Sequence, residues 1–139
     1  MERTVASPDS KQAVHFEFEG EIPFGPAYFT MRLNSKSLAT RSFGDVAVWS
    51  IDSRYVAVQE WLSTSKGTGP QTALLCIDTV NCRQCVVSTA KQGFIYPTQF
   101  EGESLIYKKQ YFDAQGERAI EYEIKFADLP RWEQFPVQA

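Results

Sequence analysis

Residues 46–87 constrain the fold of this chain more strongly than any other stretch. A short apolar segment leads into the polar corner Ser50-Ile51-Asp52-Ser53-Arg54, and in residues 55–61 valines then alternate with aromatic, small or polar side chains. After a loop, residues 72–77 are almost entirely apolar, and Asp78 follows them. Alternation is typical of a half-buried strand, and a short apolar run is typical of a strand covered on both faces. The stretch therefore predicts three strands and two connections.

The remainder of the chain carries weaker versions of this pattern. Predicted strands lie at residues 14–19, 27–33, 85–87, 94–96, 104–112 and 119–126. We expect Pro97 to end the strand at 94–96, and two prolines with two glycines to make residues 20–26 a loop. No long helical period occurs, and 139 residues suffice for one domain with its own core. The predicted fold class is all-β, in a single domain of residues 1–139.

The polar corner has further copies. Ser7-Pro8-Asp9-Ser10-Lys11 aligns with the corner at 50–54, about 43 residues later, and Phe100-Glu101-Gly102-Glu103-Ser104 takes the same place in a third copy. The repeated units span about residues 5–40, 43–88 and 94–127, and a tail follows at 128–139. We expect the tail to be one helical turn or an irregular arm that docks by Trp132 and Phe135. A period of roughly 40–45 residues with four strands is typical of propeller blades.

The central unit resembles the WD40-like, Asp-containing repeat of bacterial propellers. In that family a Trp-Ser-Pro-Asp-Gly-Lys turn precedes an apolar strand, and a later apolar strand ends in Asp. Here Trp49-Ser50-Ile51-Asp52-Ser53-Arg54 and Leu75-Cys76-Ile77-Asp78 match, with Ile51 in place of Pro and Ser53 in place of Gly. The resemblance implies a binding scaffold. Three units leave open edges, so either two chains pair into a six-bladed ring, or the units form one twisted sheet or sandwich with capped ends.

Cys82 and Cys85 form the sharpest local motif, a C-x-x-C. A zinc site needs four ligands, and Cys76 and His15 are the only other cysteine and histidine in the sequence. Cys76 belongs to a predicted buried strand and His15 lies far away in sequence, so we expect no metal. A redox motif opens a helix in a βαβ unit, and no such unit is predicted. The favoured interpretation is two thiols beside a hairpin turn, in a reducing compartment.

No residue pattern predicts catalysis. A hydrolase triad needs a base, and His15, the single histidine, is predicted on the solvent-exposed face of a strand. Glu17 and Glu19 project from one side of a strand, whereas a glycosidase needs its two carboxylates across a cleft. Residues 67–69 lack the lysine of a phosphate-binding loop. We therefore expect a non-enzymatic protein without a cofactor.

Charge and the first residues bear on partners and location. The net charge of −3 argues against general binding to nucleic acid or to a membrane, which favours a basic face. Residues 1–12 are polar, without the apolar segment of a signal peptide, and no run is long enough to span a bilayer. We expect a cytoplasmic protein that binds neither nucleic acid nor membranes.

Several aromatic residues stand beside prolines or at strand ends: Phe24, Tyr28, Trp61, Tyr96, Trp132 and Phe135. One interpretation is that they fill or cap the core. The other is a docking surface with an acidic rim, since interfaces are enriched in aromatic residues and acidic rims speed the capture of basic partners. The partner-binding residues predicted on the second interpretation are Glu17, Glu19, Glu21, Phe24, Tyr28, Glu60 and Trp61.

The favoured function is a non-enzymatic, protein-binding domain. A small acidic domain without catalytic residues resembles an immunity protein, which neutralises a basic bacterial toxin by direct occlusion. Two alternatives stay open. One is a β domain that binds or turns over a small molecule in a pocket at its mouth, and the other is a structural unit that self-assembles, for example as a homodimer, through open sheet edges.

Overall fold

A computed structural model shows an all-β architecture, as the sequence predicts. It describes residues 2–22, 26–38, 40–64, 69–113 and 116–135. The strands in these ranges are β1 Glu2–Ala6, β2 Ala13–Glu21, β3 Ala27–Leu33, β4 Lys36–Ser37, β5 Ser42–Trp49, β6 Tyr55–Ser63, β7 Gln71–Asp78, β8 Arg83–Lys91, β9 Gly93–Glu101, β10 Ser104–Asp113, β11 Gly116–Lys125 and β12 Trp132–Gln134. A short 3₁₀ turn, Phe126–Asp128, precedes the C-terminal arm.

The strands form two sheets that stack in three layers. The larger, nine-stranded sheet has the order β1-β2-β3-β5-β6-β7-β8-β12, with β4 beside β3, and the smaller sheet has the order β11-β10-β9. β3 and β5 are joined at the residue pair Phe29 and Phe43, and the larger sheet folds over at this junction. As a result β1–β4 pack against one face of β5–β8, and β9–β11 pack against the other face.

Two cores lie on opposite faces of the middle layer. The first core, between β1–β4 and β5–β8, includes Phe16, Met31, Phe43, Val58 and Leu75. The second core, between β5–β8 and β9–β11, includes Ala57, Leu74, Cys76, Ile95 and Leu105. Side chains of a strand alternate between its faces, so neighbouring residues of β6 and β7 enter different cores. The prediction that residues 72–77 are covered on both faces is confirmed, because every one of them is buried.

The first two copies of the polar corner have the same geometry. In each, the leading serine hydroxyl donates to the aspartate at 2.6 Å, and the aspartate accepts a backbone N–H from two residues later. The second serine of each has a φ of 62°. The residues are Ser7, Asp9, Ser10 and Lys11 in one corner and Ser50, Asp52, Ser53 and Arg54 in the other. The serine hydroxyls lower the pKa of Asp9 and of Asp52.

The third copy of the corner has a different turn. Glu101 pairs with Ser104 across a two-residue loop, where Gly102 takes a φ of 58°. That conformation favours glycine, because a Cβ crowds the backbone there. The equivalence of sequence positions at 100–104 therefore does not extend to the turn itself.

Several strands depart from their predicted bounds, and β8, for example, spans Arg83–Lys91 where residues 85–87 were predicted. β9 runs through Pro97 instead of ending there. Proline lacks the N–H donor but is tolerated on β9, which is the edge strand of its sheet, and the register of β10 shifts between Ile106 and Tyr107 beside it. β2 continues to Glu21, so the predicted loop at 20–26 begins later than expected.

The C-terminal arm closes both cores. β12 pairs with β8, with Trp132 opposite Cys85. Leu129 is buried in the second core with Trp132 packed against it, and Phe135 is buried in the first core. The predicted docking of the tail by its aromatic residues is confirmed for Trp132 and Phe135.

Candidate partner-binding surface

The face of β1–β4 that points away from the first core is covered by no other element of the described ranges. Cross-strand pairing arranges its side chains in two rows. We call them the outer face: Glu2, Glu17 and Thr30 in one row, and Thr4, His15, Arg32 and Ser37 in the other. These residues line a shallow depression of about 140 Å³.

Glu17 and Glu19 were predicted to project from one side of β2, and Glu21 to join their partner-binding surface from the following loop, but the structure places the three differently. Glu19 is the extra residue of a β-bulge, and its carboxylate accepts a hydrogen bond from Ser42 Oγ at 2.8 Å. An extra residue reverses the side on which the following residues lie. Glu21 therefore pairs with Ala27, whose side chain packs against the first core. Of the three, Glu17 belongs to the outer face.

Glu60 and Trp61 lie away from the outer face, on β6 of the middle layer. Trp61 is only 5% exposed, and its ring meets Phe94 edge-on at 5.5 Å between centroids. Glu60 accepts hydrogen bonds from Arg41 Nε at 2.7 Å and from Nη2 at 2.9 Å, and both side chains are mostly buried. The predicted exposure of these two residues is wrong, because β6 is covered on both faces.

The remaining aromatic candidates divide between surface and core. Tyr28 is half-buried on the solvent-facing side of β3, and Phe24 lies outside the described residues. Tyr96 and Trp132 are half-buried, and Phe135 is 4% exposed. The interpretation that these residues fill or cap the core therefore holds for Trp61, Trp132 and Phe135.

Two carboxylates of the outer face oppose each other directly. Glu2 and Glu17 are cross-strand partners, and both are exposed. Like charges in directly opposite positions destabilise a sheet. Within the described residues neither carboxylate belongs to an ion pair. Arg32 lies on the same face without forming one, and Arg3, on the other side of β1, pairs with Asp45 at 3.9 Å. The outer face thus presents two carboxylates and one guanidinium group, and no salt bridge joins them.

Much of the outer face was not predicted from the sequence. β1 and β4 are short and exposed, and they lack the apolar alternation that is typical of a strand. The sequence therefore did not place Glu2, Thr4 and Ser37 on a sheet face. His15 was placed correctly on the solvent-facing side of β2. Its Nδ1 lies 2.9 Å from Thr4 Oγ1, the neighbouring residue of the same row.

A second polar cluster lies where the corner at 50–55 meets the turn between β7 and β8. Asp78 is fully buried there. It accepts hydrogen bonds from Arg54 Nε at 3.1 Å, Arg54 Nη2 at 3.0 Å and Arg83 Nε at 2.9 Å. The backbone N–H groups of Val80 and Asn81 and the Asn81 side chain also donate to it. Burial acts to raise the pKa of Asp78, but these donors outweigh it and hold the pKa well below its usual range.

The three cysteines have different environments. Cys76 and Cys85 face each other across β7 and β8, fully buried in the second core, whereas Cys82 is exposed on the turn, and all three are free thiols. Burial raises the pKa of the Cys76 thiol well above its usual range and that of Cys85 to about 11. In the part of the chain that the structure describes, no three His, Cys, Asp or Glu residues are grouped to hold a metal ion.

These environments predict the order of thiol reactivity. The thiolate is the reactive form, so Cys82 should react with a disulfide reagent at pH about 8 while the buried thiols do not. We expect one reactive thiol per folded chain and three in guanidinium chloride. A Cys82→Ser variant should show none while folded. Rapid reaction of two or more thiols in the folded protein would contradict the burial of Cys76 and Cys85.

Comparison with known proteins supplies no relative. No protein-family model, no curated protein and no solved structure matches this chain. Among the described residues, no helix has the length and apolar character needed to cross a membrane.

Proposed function

We propose that this protein is a non-enzymatic domain that binds a cationic protein partner through its outer face. The observation that carries the proposal is the direct opposition of Glu2 and Glu17 on an open sheet face. This arrangement costs stability in the free protein. A basic side chain of a partner would relieve it, and a negative patch would speed the encounter with a positive surface.

The shape of the outer face favours a protein over a small molecule. Pockets for small molecules usually enclose about 300–1,000 Å³. The depression on the outer face is about 140 Å³, which is below that range. It accommodates a single side chain of a partner, such as a lysine or an arginine between the two carboxylates.

Self-assembly through open strand edges is supported less well. The smaller sheet ends in β9 and β11, and the longer of these two edge strands is β11, with ten residues. It carries the charged residues Glu117, Arg118, Glu121, Glu123 and Lys125. Charges along an edge strand are a recognised protection against pairing with another chain.

We further propose that the protein is a cytoplasmic bacterial immunity protein. Toxins that act on nucleic acid carry basic surfaces, and an acidic sheet face would occlude such a surface by charge and shape. The WD40-like resemblance of the central unit is compatible with a binding scaffold of this kind. The corresponding test partner is the purified product of the neighbouring reading frame.

Charge reversal on the outer face tests the proposal. The double substitution Glu2→Lys with Glu17→Lys should weaken binding of that product about tenfold or more. The effect should shrink between about 50 mM and about 300 mM NaCl, because salt screens exposed charges. Isothermal titration calorimetry at both salt concentrations measures it. The control is Glu121→Lys with Glu123→Lys, which makes the same change in net charge on β11.

A stability measurement separates this role from a structural one. Glu17→Gln removes the like-charge opposition, so it should raise the free energy of unfolding by a few tenths of a kcal/mol while weakening the complex. Equal affinities for the outer-face and β11 variants would refute the proposed surface. Loss of stability in Glu17→Gln would show that this carboxylate serves the fold instead.

A further inference from the structure

We infer that the exposed side of the Arg54–Asp78–Arg83 cluster binds an oxyanion group, a carboxylate or a phosphate, carried by a peptide segment of a partner protein. This surface lies at the turns of the middle layer and presents guanidinium donors, whereas the outer face presents carboxylates. The inference does not depend on the proposed function. Its ligand, its residues and its test are all separate.

The cluster and its corner contain two guanidinium groups and two carboxylates. Arg54 and Arg83 both pair with Asp78, and Asp78 and then the nearby Asp52 carboxylate raise the pKa of Arg54. Asp78 is fully buried and surrounded by donors, which leaves it no capacity for a further cation. The guanidinium groups instead reach the surface, with side chains 35% exposed for Arg54 and 37% exposed for Arg83. The cluster therefore offers a ligand two exposed guanidinium groups rather than an excess of charge.

Free donors are available on both arginines. Arg54 uses Nε and Nη2 to hold Asp78, and Arg83 uses Nε. In the described chain, Nη1 of Arg54 and both terminal nitrogens of Arg83 have no hydrogen-bond acceptor. A guanidinium group has five donors in a planar fork that matches carboxylate and phosphate oxygens. The unused side of each fork can therefore hold an oxyanion.

Both forks are held in place before any ligand arrives. Arg54 lies over the ring of Tyr55 at 5.0 Å, and Arg83 lies over the ring of Trp132 at 4.4 Å. The buried carboxylate fixes one edge of each guanidinium, and the ring fixes its plane. Groups ordered in advance lose less conformational entropy on binding, so affinity per contact is higher.

Apolar side chains frame the two arginines. Ile51, in the corner that carries Arg54, is 93% exposed, and Val80, in the turn that carries Arg83, is 67% exposed. Neither residue contributes to a core. Arginine, tryptophan and tyrosine beside exposed aliphatic residues match the composition of binding hot spots in protein interfaces. The frame points to an oxyanion on a peptide rather than to a free ion.

The other corner is a natural control for this geometry. Lys11 occupies the position of Arg54 on the same backbone, and Pro8 occupies the position of Ile51. In the described residues Lys11 has no carboxylate partner and lies over no ring. The corner fold alone therefore does not require an arginine, a buried aspartate or an exposed isoleucine.

Nuclear magnetic resonance titration of the full chain tests the site. The probes are inorganic phosphate, a short apolar peptide with one phosphoserine, the same peptide with glutamate, and the same peptide with serine. We expect the Nε–H signals of Arg54 and Arg83 and the Trp132 indole signal to move saturably with the phosphoserine or the glutamate peptide. The serine peptide should leave them unchanged.

Variants separate binding from folding. Arg83→Lys keeps a cation beside Asp78 but removes the fork, so affinity for the responding peptide should fall about tenfold. Ile51→Ser should weaken binding of that peptide without changing the response to inorganic phosphate. Lys11→Gln should change neither. No saturation by any charged probe, or an unchanged affinity in a folded Arg83→Lys variant, overturns the inference.

Discussion

Replacing Asp78 with alanine is expected to lower the free energy of unfolding by about 3–5 kcal/mol. The substitution leaves Arg54 and Arg83 without their shared carboxylate, and it strips the backbone N–H groups of Val80 and Asn81 of their acceptor. Six hydrogen bonds to one charged carboxylate are lost together, and the site they leave is buried, so water replaces them only in part. Domains of this size are stable by about 5–15 kcal/mol, so the variant should be near the limit of folding.

Urea unfolding followed by circular dichroism measures the effect. The matched control is Asp45→Ala, which removes an exposed ion pair with Arg3 at 3.9 Å. Exposed pairs contribute about 0–1 kcal/mol, so the control should stay close to the parent protein. If Asp78→Ala cannot be purified in folded form, Asp78→Asn takes its place. Asparagine has the shape of aspartate but replaces one carboxylate oxygen with an NH₂ group. Equal unfolding midpoints for the Asp78 and Asp45 variants would contradict a structural role for the cluster.

The same carboxylate makes stability depend on pH. The pKa of Asp78 is lower in the folded protein than in the unfolded chain, where an aspartate has a pKa of about 3.9. The unfolded chain therefore binds more protons in acid, and the free energy of unfolding rises with pH. The contribution is complete above that unfolded pKa and is lost as the pH falls toward the lower, folded value. Asp78→Asn should accordingly flatten the pH dependence between about pH 5 and about pH 2.

Leu74→Ala should cost about 2–5 kcal/mol, the second large effect. Leu74 has no solvent exposure and belongs to the second core, between the middle layer and β9–β11. The substitution removes apolar contacts and leaves a cavity that close-packed neighbours cannot fill. Leu75→Ala should cost a similar amount, because Leu75 is equally buried in the first core.

The comparison of these two variants tests the three-layer arrangement. Neighbouring residues of one strand are both expensive to truncate only if both faces of that strand are covered. Leu62→Ala is the control, since Leu62 is 54% exposed, and it should change the free energy of unfolding by less than about 0.5 kcal/mol. Chemical denaturation of the three variants side by side provides the measurement. A small cost for Leu74→Ala would mean that β9–β11 do not seal the second core.

The local alternation of residues predicted most of the strands, because β-strand periodicity is a property of neighbouring positions. Residues 55–61 and 72–77 were recognised as strands in this way and lie in the middle layer. The pattern could not predict β1, whose five residues include only one that is not exposed, Val5. Such a strand is held by backbone pairing to β2, which leaves no apolar signature.

The candidate site was predicted less completely, since it depends on long-range pairing. The bulge at Glu19 reversed the side on which Glu21 lies, and the local sequence does not predict that extra residue. Trp61 looked like a surface residue because it stands at a strand end, yet β9 covers it from a distant part of the sequence. Glu17 was identified, but its partner Glu2 depends on a strand that was not predicted.

The position of Phe135 has a consequence for biosynthesis. Its side chain completes the first core, whose other buried members lie earlier in the chain, between Val14 and Ile77. The ribosome synthesises those earlier segments first, so their apolar surface stays exposed until the C-terminal arm has been synthesised. Contacts between distant residues form slowly, and chains in this waiting state are the ones most exposed to aggregation and most dependent on chaperones.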